Sequence, residues 1–136
     1  MEQQKWWGWG SYEKFTCTKN RSLFEPFLES KVGSTGDFPV PDLDTIEITK
    51  SDVDSKFFFD LCNIFEERVS TDKLTRLTHT YGKSFRDLLR VRENVVHISP
   101  DYVVFPDSEE EISSLLKLAS EHKVSVIPFG GGTNIV

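Results

Sequence analysis

From Asp54 onward apolar residues recur at helical intervals. Phe57, Phe58, Leu61, Ile64 and Phe65 fall three and four apart, so one face of a helix is apolar. Asp54 or Ser55 can cap its start, and Glu66-Glu67-Arg68 close its polar end. Ser70-Thr71-Asp72 breaks the pattern, and Thr71 or Asp72 can begin a short segment through Leu74 and Leu77. Gly82 interrupts it, and Ser84 caps a turn carrying Phe85, Leu88 and Leu89. Upstream, Leu23 to Lys31 reads as a short helix. Gly33-Ser34-Thr35-Gly36-Asp37 and Phe38-Pro39-Val40-Pro41 read as a loop with extended segments, because proline and clustered turn residues cannot continue a helix.

The last third carries the sharpest pattern. Tyr102-Val103-Val104-Phe105 is a β-rich run between Pro100 and Pro106. Ser108 followed by Glu111 forms a capping box, and Glu109 and Glu110 add negative charge where the helix dipole favours it. Ile112, Leu115, Leu116 and Ala119 then mark an amphipathic helix that ends at His122 and Lys123. Val124-Ser125-Val126-Ile127 is a second β-rich run, closed by Pro128. Strand, capped helix and strand predict a βαβ unit with two parallel strands.

Directly after it comes Pro128-Phe129-Gly130-Gly131-Gly132-Thr133-Asn134. Three successive glycines remove every Cβ from a loop at the carboxyl end of a strand, where ligands bind in α/β folds. Such a loop can turn its backbone N–H groups inward as a nest for a phosphate or pyrophosphate, with Thr133 and Asn134 adding side-chain donors. It is neither G-x-G-x-x-G nor a P-loop, which argues against a nicotinamide site and against an NTPase.

Composition narrows the classes. All three tryptophans sit in Trp6-Trp7-Gly8-Trp9-Gly10, too much apolar area to leave in water. An arm docked on the body of the domain accounts for them better than a ligand-stacking platform. Lys83, Arg86, Arg90 and Arg92 read as a solvated face beside a buried one, with an anion-contacting edge as the alternative. The formal charge of -6 argues against a nucleic-acid binder. No apolar run reaches the ~20 residues of a membrane span, and the first ten residues lack the apolar core of a signal peptide, so a cytoplasmic or organelle-matrix protein is expected, peroxisomal only with a targeting signal not visible in these residues. Cys17 and Cys62 are far apart with no C-x-x-C, so neither a disulfide framework nor a metal site is expected. His79, His97 and His122 lie in no motif and read as surface or capping residues, and no catalytic residue is assigned.

The segment from Pro100-Asp101-Tyr102-Val103-Val104-Phe105-Pro106 through Glu109-Glu110-Glu111-Ile112 to Val126-Ile127-Pro128-Phe129-Gly130-Gly131-Gly132-Thr133-Asn134 resembles the opening of the vanillyl-alcohol-oxidase (PCMH-type) FAD-binding domain. Lys5-Trp6-Trp7-Gly8-Trp9-Gly10 with Tyr12 and Phe15, and more loosely Tyr81 to Arg92, look like the alkyldihydroxyacetonephosphate (alkylglycerone-phosphate) synthases. The resemblance implies a mixed α+β chain in two parts. Residues 1–98 form an aromatic arm and a mainly helical region. Residues 99–136 open a truncated FAD-binding domain with its first βαβ unit and phosphate loop. It implies FAD as cofactor, with Pro128, Phe129, Gly130, Gly131, Gly132, Thr133 and Asn134 holding its pyrophosphate.

In that family the flavin exchanges acyl for alkyl on dihydroxyacetone phosphate through an adduct, without net oxidation. In the neighbouring branches it oxidises a 2-hydroxy acid such as glycolate or lactate. Catalysis is thus expected of a longer parent acting on a lipid precursor or a hydroxy acid, and not of these 136 residues alone. Homo-oligomerisation is compatible with this reading. The competing expectation is a non-catalytic module that binds a phosphorylated ligand, or a partner through its Trp-rich arm.

Overall fold

The computed structural model describes residues 4–12, 21–33 and 40–132. Five α-helices and two short strands are described, beside two single turns of 3-10 helix: α1 Arg21–Val32, α2 Ser55–Phe65, β1 Val69–Ser70, α3 Lys73–Thr78, α4 Phe85–Arg92, β2 Val103–Val104 and α5 Glu109–His122. This is the mixed α+β architecture expected. The caps fall on particular residues, each satisfying an otherwise orphaned N–H of the first turn. Asp54 caps α2, Asp72 caps α3, Ser84 caps α4 and Ser108 caps α5. α1 ends at Gly33, whose φ of +82° suits a residue without a Cβ and whose N–H donates to the Glu29 carbonyl at 3.1 Å.

The core has two parts. In the first, Phe57, Leu61 and Phe65 of α2 meet Leu118 and Ala119 of α5, with Val69, Val104 and Tyr102 packed around them. These α2 residues are the apolar face read from their spacing, and Phe65 is fully buried. On α5 the buried edge is rotated from the one expected. Leu118 and Ala119 are buried, while Ile112 and Leu116 are 45% and 52% exposed. The helix is apolar on more than one side, and spacing alone does not say which side α2 will cover.

The second part gathers Trp6, Ile46, Leu77 and Val91, from the N-terminal arm, the segment before α2, α3 and α4. The arm is therefore docked. Gln4 and Ser11 form an antiparallel bridge, and Lys5 N–H donates to the Gly10 carbonyl at 2.9 Å, closing a hairpin over residues 4–11. The Trp9 indole donates to the Lys83 carbonyl at 2.8 Å, and the Lys83 ammonium donates to the Lys5 carbonyl at 2.8 Å. Lys83 is thus no part of a solvated basic face. It is buried, and burial pushes its pKa down. Arg90 pairs with Asp87 at 3.1 Å, and the Arg92 guanidinium lies 5.4 Å from the Trp7 ring centroid.

Two arginines join these parts to the chain after Ser99. Arg76, buried on α3, donates to the Pro100 carbonyl at 2.6 Å, the Thr49 carbonyl at 2.7 Å and the Ser99 hydroxyl at 3.1 Å. Arg68 grips Glu111 of α5 through two parallel bonds of 2.6 and 2.5 Å, and pairs with Asp107 at 3.0 Å.

One element differs from the expected βαβ unit. β2 pairs antiparallel with β1, with Val69 opposite Val104 and Ser70 opposite Val103, and Phe105 N–H extends the ladder to the Arg68 carbonyl at 3.0 Å. The second β-rich run, Val124 to Ile127, has no ladder partner among the described residues, and Ile127 is 85% exposed. High β-propensity describes a residue's fit to a sheet; a strand also needs a neighbouring backbone. The partner strand of β2, Val69-Ser70, is too short to announce itself by alternation.

Candidate functional site: the glycine loop

The chain leaves α5 through Lys123, which takes a left-handed conformation, and runs to Pro128. Of the seven residues expected to hold a phosphate, Pro128, Phe129, Gly130, Gly131 and Gly132 are described; Thr133 and Asn134 lie outside the described residues. Gly130 and Gly131 are exposed, and a Cβ added at Gly130 would meet nothing within 4 Å. Gly132 is buried and has φ +64°. A Cβ there would come within 2.7 Å of Phe129 Cζ, so the loop curls over the Phe129 ring at a position only glycine tolerates.

Two contacts hold this loop from outside. The Phe129 ring packs on His79, with centroids 4.5 Å apart, and His79 packs edge-on against Phe105, 5.7 Å away. His79 is fixed in turn as the C-cap of α3. Its Nδ1 lies 2.7 Å from the Thr75 carbonyl, which can only accept, so Nδ1 carries the proton. The second contact comes from the hairpin, where the Gln4 side-chain amide donates to the Gly131 carbonyl at 3.2 Å.

His79 was legible as a capping residue, yet nothing in its surroundings in sequence tied it to the loop fifty residues later. The 127-residue separation of Gln4 from Gly131 leaves even less trace. His97 is exposed, and His122 sits on Phe57 at 5.4 Å with its Nε2 3.7 Å from Asp60.

An open groove of about 420 Å³ lies between the start of α2 and the end of α5. Asp52, Asp54 and Asp101 line it beside His122 and Lys123, a charge balance that repels a phosphate, and no glycine-loop residue borders it. The loop instead presents exposed glycine backbone at Gly130 and Gly131, braced by Gln4 and His79. Those features fit a dinucleotide pyrophosphate, which needs close access to backbone N–H groups. Among the described residues no helix is long and apolar enough to cross a membrane.

Residues 100–136 match the FAD binding domain family. The chain is 35% identical to an alkyldihydroxyacetonephosphate synthase of Dictyostelium discoideum, an alignment covering 99% of this chain and 26% of that protein. A solved alkyldihydroxyacetonephosphate synthase structure superposes with a TM-score of 0.87 at 34% identity, over 98% of this chain and 29% of that one. A mitochondrial D-lactate dehydrogenase of Arabidopsis thaliana is 41% identical over 55% of this chain and 12% of its own length. The chain thus spans about a quarter of the length of the synthases it matches. Over nearly all its length it is similar to these synthases in sequence and in fold, and its residues 100–136 match the FAD binding domain family.

Proposed function

We propose that the glycine loop cradles the FAD pyrophosphate in a flavoenzyme of the alkyldihydroxyacetonephosphate synthase type. The observation that carries this reading is the loop itself: exposed glycines at Gly130 and Gly131, a left-handed Gly132 and an external brace, inside a segment of the FAD binding domain family. FAD, when bound, supplies the flavin on which acyl is exchanged for alkyl on dihydroxyacetone phosphate without net oxidation. The chain's own part is to bind and orient. Phe129 anchors the loop on His79, and the backbone N–H groups from Gly130 onward, with Thr133 and Asn134 as further donors, offset the phosphate charge. The substrate-handling groups of such an enzyme are assigned to no residue here, and a soluble cytoplasmic setting is part of the proposal.

The likeness to a D-lactate dehydrogenase over 55% of the chain supports a second reading, in which the same loop serves an FAD-linked oxidation of a 2-hydroxy acid. Both readings require FAD, and they part at the substrate. The test is the flavin content of protein expressed from the complete reading frame and purified natively. FAD should co-purify near one per chain and be lost in Gly131→Asp, which puts a carboxylate where the phosphate sits. A colourless wild-type protein that takes up no FAD overturns the proposal. Turnover of acyl-dihydroxyacetone phosphate with a fatty alcohol, against oxidation of D-lactate, then separates the two chemistries.

A further inference from the structure

We infer that Gln4 is a positioning residue for the cofactor, and that the tryptophan hairpin acts as a latch setting the glycine loop in its anion-binding conformation. The inference rests on the FAD reading above and assigns a role to a part of the chain outside the FAD binding domain segment. It begins with peptide geometry. In a trans peptide the C=O of one residue and the N–H of the next point in opposite directions, and no cis peptide occurs among the described residues. The Gln4 amide holds the Gly131 carbonyl at 3.2 Å. The Gly132 N–H of the same peptide is therefore directed away from the hairpin. Without that hold, the Gly130-Gly131 stretch has no side chain to fix its peptide planes, and glycine samples both signs of φ at little cost. A loop whose planes rotate presents carbonyl oxygen to a phosphate as readily as N–H.

A donor on a loose arm would fix nothing, and Gln4 does not sit on one. The Gln4–Ser11 bridge and the Lys5-to-Gly10 bond close the hairpin. Trp6, 5% exposed, anchors it in the second core cluster, and it exchanges hydrogen bonds with Lys83 in both directions, through the Trp9 indole and the Lys5 carbonyl. The loop is gripped on its other flank by the His79–Phe129 contact. Two fixed points narrow the arrangements open to the intervening glycines. Because such coupling is reciprocal, a pyrophosphate on the loop must also tighten the hairpin.

The test uses protein from the complete reading frame, with FAD as probe and riboflavin, which lacks the pyrophosphate, as control. Gln4→Met keeps the length and removes the donor; Gln4→Arg restores a donor to the carbonyl. Gln4→Met should weaken FAD binding about tenfold, the scale of one misdirected hydrogen bond to a charged group, and leave riboflavin binding unchanged. Gln4→Arg should recover most of the loss, and adding FAD should slow amide exchange at Lys5 in wild type but not in Gln4→Met. Because Gln4 is exposed, the melting temperature without FAD should not move. Equal FAD affinity in wild type and Gln4→Met, or equal loss for FAD and riboflavin, overturns the latch alone. Failure of the wild type to bind FAD overturns it together with the cofactor reading.

Discussion

The two parts of the core are held by different physics. Between α2 and α5 the contact is aliphatic and aromatic, Phe57, Leu61 and Phe65 against Leu118 and Ala119. Around Trp6 the apolar residues come from four separate segments, and buried cations answer backbone carbonyls between them: Arg76 to Thr49 and Pro100, Lys83 to Lys5. The first arrangement is stabilised in proportion to the area it removes from water. The second depends on a few directional bonds whose loss leaves buried polar groups unsatisfied, which costs more than the bond itself contributed. The glycine loop hangs from the second, through Gln4 and His79.

Four predictions probe that difference, from the largest expected effect to the smallest. Phe65→Ala should lower the unfolding free energy by about 3–5 kcal/mol, the range for emptying a fully buried aromatic site, read by urea denaturation. A loss under about 1 kcal/mol would mean the α2–α5 contact is not the principal core. Arg76→Leu should cost about 2–3 kcal/mol although it adds an apolar side chain, since the Thr49 and Pro100 carbonyls lose their donor. Arg76→Lys should recover less than half, an ammonium lacking the planar fork that reaches both. If Arg76→Leu were neutral, packing around Trp6 alone would hold the second cluster.

Gly132→Ala should cost about 1–2 kcal/mol from its left-handed backbone, with the crowding against Phe129 adding to it, whereas Gly130→Ala should leave the melting temperature nearly unchanged. Equal effects at the two glycines would contradict the loop geometry. The last prediction concerns pH. The Arg68 fork, with the Asp107 N–H, holds the Glu111 carboxyl down to about 2 from an ordinary 4.5. A carboxylate depressed in the folded state contributes stability above its unfolded pKa and loses it as pH falls through the folded one. Stability should therefore decline from about pH 4.5 toward pH 2, and Arg68→Ala should flatten that part of the profile. The effect is modest because the pair is solvent-screened.

The same division governs what could be read from sequence. Caps and helix faces are local, so Asp54, Asp72, Ser84 and Ser108, and the Phe57-Leu61-Phe65 stripe, were legible from spacing. So was the glycine-bearing loop that follows α5, because three successive glycines favour neither helix nor strand. The partner of β2 was not legible, since two residues, Val69 and Ser70, are too few for alternation to show. Nor was the burial of Lys83: a lysine among arginines reads as surface until the carbonyl it serves, 78 residues away in the chain, is brought to it. The brace of the loop by Gln4 and His79 was hidden for the same reason. Local chemistry shows in the order of residues, and satisfaction of polar groups at long range shows only in the fold.

The central claim is that the glycine loop is where FAD meets this chain. Its most direct test is backbone amide exchange across residues 129–134, in protein from the complete reading frame, with and without saturating FAD. Strong protection of the Gly130–Gly132 amides on binding, with α1 unchanged, is the predicted result. Bound FAD that leaves those amides exchanging as before would contradict it.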